Sequence, residues 1–218
     1  MWRVILILLT LALARPVAAC ETALLLAVDV SGSISLQEYH LQMEGLAQAL
    51  EDPAIVDALV TGQDGLALVH WSGSRHQTLS LGWHRLQDAA DVAAFAAAVR
   101  ATRRPQLRTV TAIGDAIRFS LAQFGPVQDC DRHVIDISGD GAENEGQNVA
   151  TARREAEAAR VIINAIAIEL DDRADNLTGY FRRFVITPDG FAITAHGLPD
   201  YPRAIRKKLL RELTRAVS

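Results

Sequence analysis

The sequence predicts an α/β fold: a doubly wound, mostly parallel sheet with helices on both faces and one antiparallel edge strand. Three observations carry that expectation. Five runs, "ALLLAVDV", "GLALVHW", "HVIDIS", "VIINAIAI" and the weaker "GFAITA", are near-continuously apolar, as strands buried on both faces are. Helical patterns separate them, and strands alternating with helices imply crossover connections and a parallel sheet. Half of the 218 residues are hydrophobic, enough for a substantial core, and the length suits one domain.

In chain order, Arg3 precedes an apolar run from Val4 to Ala14 and the small residues Val17, Ala18 and Ala19. That is the pattern of a secretory signal peptide over residues 1–19, and the run is well short of the ~20 residues a membrane-spanning helix needs. Cleavage after Ala19 is expected to leave residues 20–218 as a single periplasmic or secreted domain, with no membrane contact. It would remove Arg3 and Arg15 and no acid, making a chain of formal charge −4 more acidic. Such a balance argues against a nucleic-acid binder.

After the first strand, Ser35 and Glu38 form a capping box opening a helix whose Tyr39, Met43, Leu46 and Leu50 share a stripe. The segment "QTLSLGWHRL" follows "GLALVHW" after a short turn and suits the antiparallel edge strand. Helices are expected over Asp88–Arg100, Ala112–Phe124 and Val149–Arg160. In the last one Ile205, Leu209, Leu213 and Val217 align, while Arg203, Lys207, Arg211 and Arg215 form a basic stripe read as solvated.

Cys20 and Cys130 stand nine and ten residues before Asp29 and Asp140, each ahead of an apolar strand. Parallel neighbouring strands would put both cysteines at one end of the sheet and both aspartates at the other. Two readings compete: a disulfide, which an exported chain with a matched pair favours, and lipidation of Cys20 after "VAAC".

Sites in open sheets of this kind form beyond the carboxyl ends of the strands. Three loops would meet there: "DVSGS", "RTVTAIGDA" and "SGDGAEN". They offer the carboxylates Asp29 and Asp140 and the hydroxyls Ser31, Ser33 and Thr109. An all-oxygen set with few charges suits a hard divalent cation, Mg²⁺ foremost and Mn²⁺ as an alternative. Alternate side chains of an extended turn point the same way, so Asp29, Ser31 and Ser33 can converge.

These motifs resemble the metal-ion-dependent adhesion site of the von Willebrand factor type A (VWA) domain: Asp-x-Ser-x-Ser, then a Thr, then an Asp. The likeness spans nearly all of the chain after residue 19 and is closest to a group of exported bacterial proteins of uncharacterised role. It implies that Ser31, Ser33 and Thr109 are direct or near-direct ligands while Asp29 and Asp140 hold the ion partly through water. Thr111 becomes a supporting residue or a rival for the Thr position, and Ser138 a supporting residue near Asp140. Gly139 stands where many relatives have Thr. The resemblance further implies a partner protein that presents a Glu or Asp to the metal, since neutral hydroxyl ligands leave the ion electron-poor.

A metal-dependent hydrolase is the alternative class, with a structural domain carrying a vestigial site as a third. Against the hydrolase, no His or Lys lies in the three loops and no G-x-S-x-G or H-E-x-x-H occurs, so the expectation is a non-enzymatic module. Asp136 reads as a hydrogen-bonded structural acid, residues 143–145 as solvated loop, and His70, His76 and His84 as scattered histidines rather than zinc ligands.

Overall fold

Residues 20–105, 110–146, 148–169 and 176–214 are described by the structure, a computed structural model. The strands are β1 (Thr22–Asp29), β2 (Gly65–Trp71), β3 (Gln77–Arg85), β4 (Arg132–Gly139), β5 (Val161–Glu169) and β6 (Ala192–His196). They form one sheet in the order β3-β2-β1-β4-β5-β6, parallel throughout except for the antiparallel β2–β3 pair. The α/β expectation, its antiparallel edge included, is what the chain adopts.

The helices are α1 (Leu36–Leu50), α2 (Pro53–Thr61), α3 (Ala89–Ala101), α4 (Ile113–Leu121), α5 (Val149–Ala158), the single turn α6 (Leu177–Tyr180) and α7 (Tyr201–Thr214). Every residue of β1 is buried, because successive side chains enter different layers. Leu24, Leu26 and Val28 meet α1, α2, α3 and α7 on one face; Ala23, Leu25 and Ala27 meet α4, α5 and α6 on the other.

Helix starts follow local chemistry. Ser35 accepts from the Glu38 N–H at 3.2 Å and the Glu38 carboxylate accepts from the Ser35 N–H at 2.7 Å, the reciprocal cap expected there. Asp88 and Asp91 cap α3 in the same way. Two elements lie outside the sequence reading. In α2 only Ile55 and Leu59 are buried, so the helical period is carried by one i, i+4 pair, although Asp52 at the cap and Pro53 in the first turn mark its start. Residues 177–185 form α6 and a π-type turn, Phe181–Val185. Asn176, the head of an "NLT" sequon, caps that segment by accepting from the Gly179 N–H at 2.7 Å. Helix α4 stops at Leu121 rather than Phe124. Arg215 and Val217, expected on the last helix, lie outside the described residues, as does the expected signal peptide.

At the amino end of the sheet Cys20 and Cys130 are joined in a disulfide, 110 residues apart in sequence. The backbones around them pair as well: Asp131 donates to the Cys20 carbonyl at 2.9 Å and Arg132 to that of Glu21 at 3.0 Å. Closing so long a loop contributes on the order of 4–5 kcal/mol in the chain-entropy account.

Midway along β4, Asp136 is a buried structural acid whose partner is a lysine. Lys208 of α7, fully buried, lies 2.6 Å from Asp136 and 2.7 Å from Glu212. Glu212 also accepts from Asn164 at 2.7 Å, and Asn164 in turn accepts from the Phe191 N–H at 2.9 Å. Buried charge survives only with such pairing. Among the described residues no helix is long and apolar enough to cross a membrane.

Candidate metal centre

From β1 the chain builds outward to β2 on one side, while β4 joins β1 on the other. The strand order reverses between β1 and β4, which opens a crevice beyond their carboxyl ends. Asp29 is the last residue of β1, and Asp140 follows the last residue of β4, so the topology makes them neighbours.

The loop after β1 folds back on its own acid. The Ser31 N–H donates to Asp29 Oδ1 at 2.7 Å. The hydroxyls of Ser31 and Ser33 lie 3.1 Å apart, and Ser33 donates to Asp140 Oδ1 at 2.8 Å. Four of the five side chains named from sequence are thus gathered at one rim; the fifth, Thr109, lies outside the described residues.

The electrostatics of this rim are unbalanced. Asp29 is fully buried and its Oδ2 has no hydrogen-bond partner. Burial and the charge of Asp140 push its carboxyl up from 3.8 to about 7, against the pull of hydrogen bonds from Ser31 and from the Asp140 backbone. A cation there would offset both the burial and the repulsion. The oxygen spacing also fits: ligands of octahedral Mg²⁺ at ~2.1 Å stand ~3.0 Å apart along an octahedron edge. The hydroxyl and carboxylate spacings of 3.1 and 2.8 Å are of that size. Among the described residues no three His, Cys, Asp or Glu side chains group to hold a metal, so a cation at this rim depends on hydroxyl ligands.

Gly139 has a packing reason. A Cβ there would stand 3.3 Å from Asp29 Oδ2 and 3.3 Å from the Trp71 ring, so the indole occupies the room a threonine would need. Trp71 itself donates to the Ala27 carbonyl at 3.2 Å. Ser138 is buried, and its hydroxyl meets Tyr201 of α7 on the face that also holds Asp136 and Lys208.

Sequence reasoning missed Arg104. Its Nη2 donates to the carbonyls of Val30 at 3.1 Å, Ser31 at 2.8 Å and Ile34, so one guanidinium holds the whole Asp-x-Ser-x-Ser turn. Tyr39 of α1 donates to the Thr102 carbonyl at 3.2 Å and so anchors the segment that carries Arg104. Burial lowers the pKa of Arg104 while the charge of Asp29 opposes that shift. Nothing local separates Arg104 from Arg103; the contact exists only across the fold.

Residues 143–145, expected as solvated loop, instead clamp their surroundings. The Thr111 N–H donates to Asn144 Oδ1 at 2.8 Å, and the Thr111 carbonyl accepts from the N–H groups of Asn144 at 3.0 Å and Glu145 at 3.2 Å. Thr111 is buried, and a Cβ on Gly141 would stand 3.5 Å from its hydroxyl, so Thr111 flanks the turn after Asp140. Glu143 accepts from the Gly114 N–H at 2.9 Å and caps α4, whose own cap position, Ala112, has no side chain to do so. Burial pushes the Glu143 carboxyl up to about 7. Glu145 accepts from the Ser74 N–H at 2.7 Å. His70 is buried against Ser80 at 2.7 Å, its pKa lowered by burial to about 4, while His76 and His84 contact backbone carbonyls of Ser74 and Gly82.

Several solved structures share this fold. Proximal thread matrix protein 1 from the mussel byssus, solved with a zinc-occupied MIDAS motif, is 15% identical with a TM-score of 0.65, over 90% of this chain and 48% of its own. A von Willebrand factor type A protein from Catenulispora acidiphila is 15% identical with a TM-score of 0.65, over 89% and 43%. The pilus adhesin SpaC from Lactobacillus rhamnosus GG is 13% identical with a TM-score of 0.62, over 88% and 31%. The chain therefore spans less than half the length of each of these proteins. No curated protein matches the sequence. With a VWA fold, and with residues 19–217 matched by its family profile, the chain belongs to the family described as protein of unknown function, DUF1194.

Proposed function

We propose that this chain is a non-enzymatic, cation-dependent protein-binding module of the periplasm or the cell exterior. Asp29, Ser31, Ser33, Thr109 and Asp140 hold a divalent cation, Mg²⁺ or Mn²⁺, and the cation accepts an Asp or Glu side chain of a partner protein. When bound, the ion supplies positive charge that two carboxylates and neutral hydroxyls leave largely unquenched.

The observation that carries this reading is Asp29: a buried carboxylate with one oxygen unpartnered, beside a second acid, with no lysine in contact. Ser31 and Ser33 contribute lone pairs without charge, and Arg104 holds their backbone rigid by spending its donors on carbonyls. The zinc-occupied motif of the mussel protein and the adhesin among the similar folds support a metal-binding, adhesive role. The Cys20–Cys130 disulfide supports export. Glu143, the acid nearest in sequence to Asp140 that could act as a general base, is taken up in capping α4.

The test is calorimetry of metal-stripped protein against MgCl₂ and MnCl₂, with Asp29→Ala as control. Saturable binding that Asp29→Ala removes supports the site; no heat with either metal ends the proposal.

A further inference from the structure

On the far edge of the sheet, β6 and α7 line a groove of about 360 Å³ whose walls carry Arg182, His196, Arg203, Lys207 and Arg211. We infer that this groove is a binding site for a phosphate-bearing anion, separate from the metal rim.

The cations reach the groove from both layers of the fold. Arg182 lies in the turn after α6, which packs on one face of the sheet, while Arg203, Lys207 and Arg211 descend α7 on the other, four residues apart. Like charges at that spacing repel, and the chain as a whole is acidic, so their gathering is a local concentration rather than a bulk property. Two of them are held in place before any ligand arrives. Arg203 is fixed by Asp200 through two contacts of 2.5 Å, and Arg211 lies 4.0 Å over the Phe191 ring. Lys207 is exposed and has no hydrogen bond or ion pair among the described residues, while Arg182, also exposed, is faced by the carboxylate of Glu169. Among the described residues the acids nearby are Asp200, engaged with Arg203 and the His196 N–H, and Glu169, which accepts from the Thr178 N–H and also feels the charges of Arg182 and His196.

The edge geometry selects the class of ligand. Phe191 and Gly197 pair with β5, so the backbone groups of Ala192, Thr194 and His196 face outward. Two of these are capped by the chain itself: the His196 N–H donates to Asp200 at 2.9 Å, and the Thr194 carbonyl accepts from Arg203 at 3.5 Å. An extended acidic peptide adding as a seventh strand would find two rungs of that ladder, the His196 N–H and the Thr194 carbonyl, already taken. A compact anion needs no ladder, and a charge of two or more matches what several converging cations offer better than a single carboxylate does. Guanidinium forks with a neighbouring ammonium are the side-chain set that holds phosphoryl oxygens.

The probe is pyrophosphate, titrated calorimetrically into the full chain, with chloride at matched ionic strength as reference. Saturable binding is expected, weakened about tenfold or more by Lys207→Glu or Arg182→Glu, since each removes one charge-assisted contact. Arg206→Glu is the control, an exposed arginine of the same helix that pairs with Asp52 outside the groove; it should leave affinity within about twofold. Pyrophosphate no better than chloride, or equal weakening by all three variants, overturns the assignment. A vesicle arm separates sources: anionic phospholipid vesicles that compete with pyrophosphate place the phosphate on a lipid, and vesicles that do not compete leave a soluble phosphate ester. Vesicle binding that survives Lys207→Glu while pyrophosphate fails to bind overturns the groove in favour of diffuse surface charge. Asp29→Ala should leave pyrophosphate binding intact, so this site stands or falls independently of the metal rim.

Discussion

One pair of buried acids is built around the middle of β4 and another beyond its carboxyl end, and the fold treats them differently. Asp136 and Glu212 enclose Lys208, which touches both and is itself fully buried. Asp29 meets no ion-pair partner among the described residues; serine hydroxyls link its turn to Asp140, and the guanidinium of Arg104 is taken up by backbone carbonyls. The first pair is closed, its charge answered within the chain. In the second, Asp29 keeps one buried carboxylate oxygen without a hydrogen bond at the switch point of the sheet, which is why the proposed cation is placed there. The difference teaches that burial of acid is not by itself a sign of function: the location of the compensating charge decides.

The largest test of this contrast is Lys208→Met. It leaves two acids buried without a cation, and a loss of about 3–5 kcal/mol is expected in urea or thermal unfolding. A loss under about 1 kcal/mol would show that the inner pair was never ionised and erase the contrast. Arg104→Gln should cost about 2–3 kcal/mol, because three carbonyls lose a charged donor. Hydrogen exchange should rise at the Ile34 N–H, which donates to the Ser31 carbonyl within that turn, and stay unchanged at Ala152 of distant α5 and at Ala159, which caps its carboxyl end.

Asp29→Asn is the sharpest comparison with Lys208→Met, since its sign is reversed. Without metal it should stabilise the protein by about 1–2 kcal/mol, relieving a buried charge, while removing the rise in melting temperature expected of the parent on adding Mg²⁺ or Mn²⁺. Loss of stability in metal-free buffer would place a partner at Asp29 that the contrast denies.

The smallest effect is expected at Asp64, which stands between the two cases: buried, accepting from the Thr22 N–H at 2.8 Å, with no ion-pair contact among the described residues. Burial raises its pKa from 3.8 to about 7. A raised acid binds its proton more tightly in the folded state, so its favourable contribution is complete below pH ~4 and is lost as pH rises toward 7. Asp64→Asn should therefore match the parent near pH 4 and exceed it by about 1 kcal/mol at pH 8, where solvent and nearby Arg85 and Arg132 limit the gain. A flat difference across that range would remove Asp64 as the intermediate case.

The parts of the molecule legible in sequence are those whose information is local. Strands buried on both faces announce themselves as unbroken apolar runs, caps as Ser35 with Glu38, and three of the candidate site residues as alternation within a single turn. Even Lys208 left a signal, for it falls with Glu212 beside Ile205, Leu209 and Leu213, on the stripe that faces the core. Composition hid it, because it sits among solvated cations of the same helix. Arg104 left none: one of two adjacent arginines, it matters only because α3 ends beneath the turn it holds.

The sequence by itself determined the α/β class, the antiparallel edge and the chemistry offered at the carboxyl ends of the strands, because hydrophobic period and side-chain type are properties of neighbours along the chain. Only the tertiary structure decided that Asp29 and Asp140 share a crevice while Asp136 is neutralised by a lysine 72 residues later in the sequence. Coulomb interaction depends on distance in space, and strand order, which no short segment encodes, sets that distance.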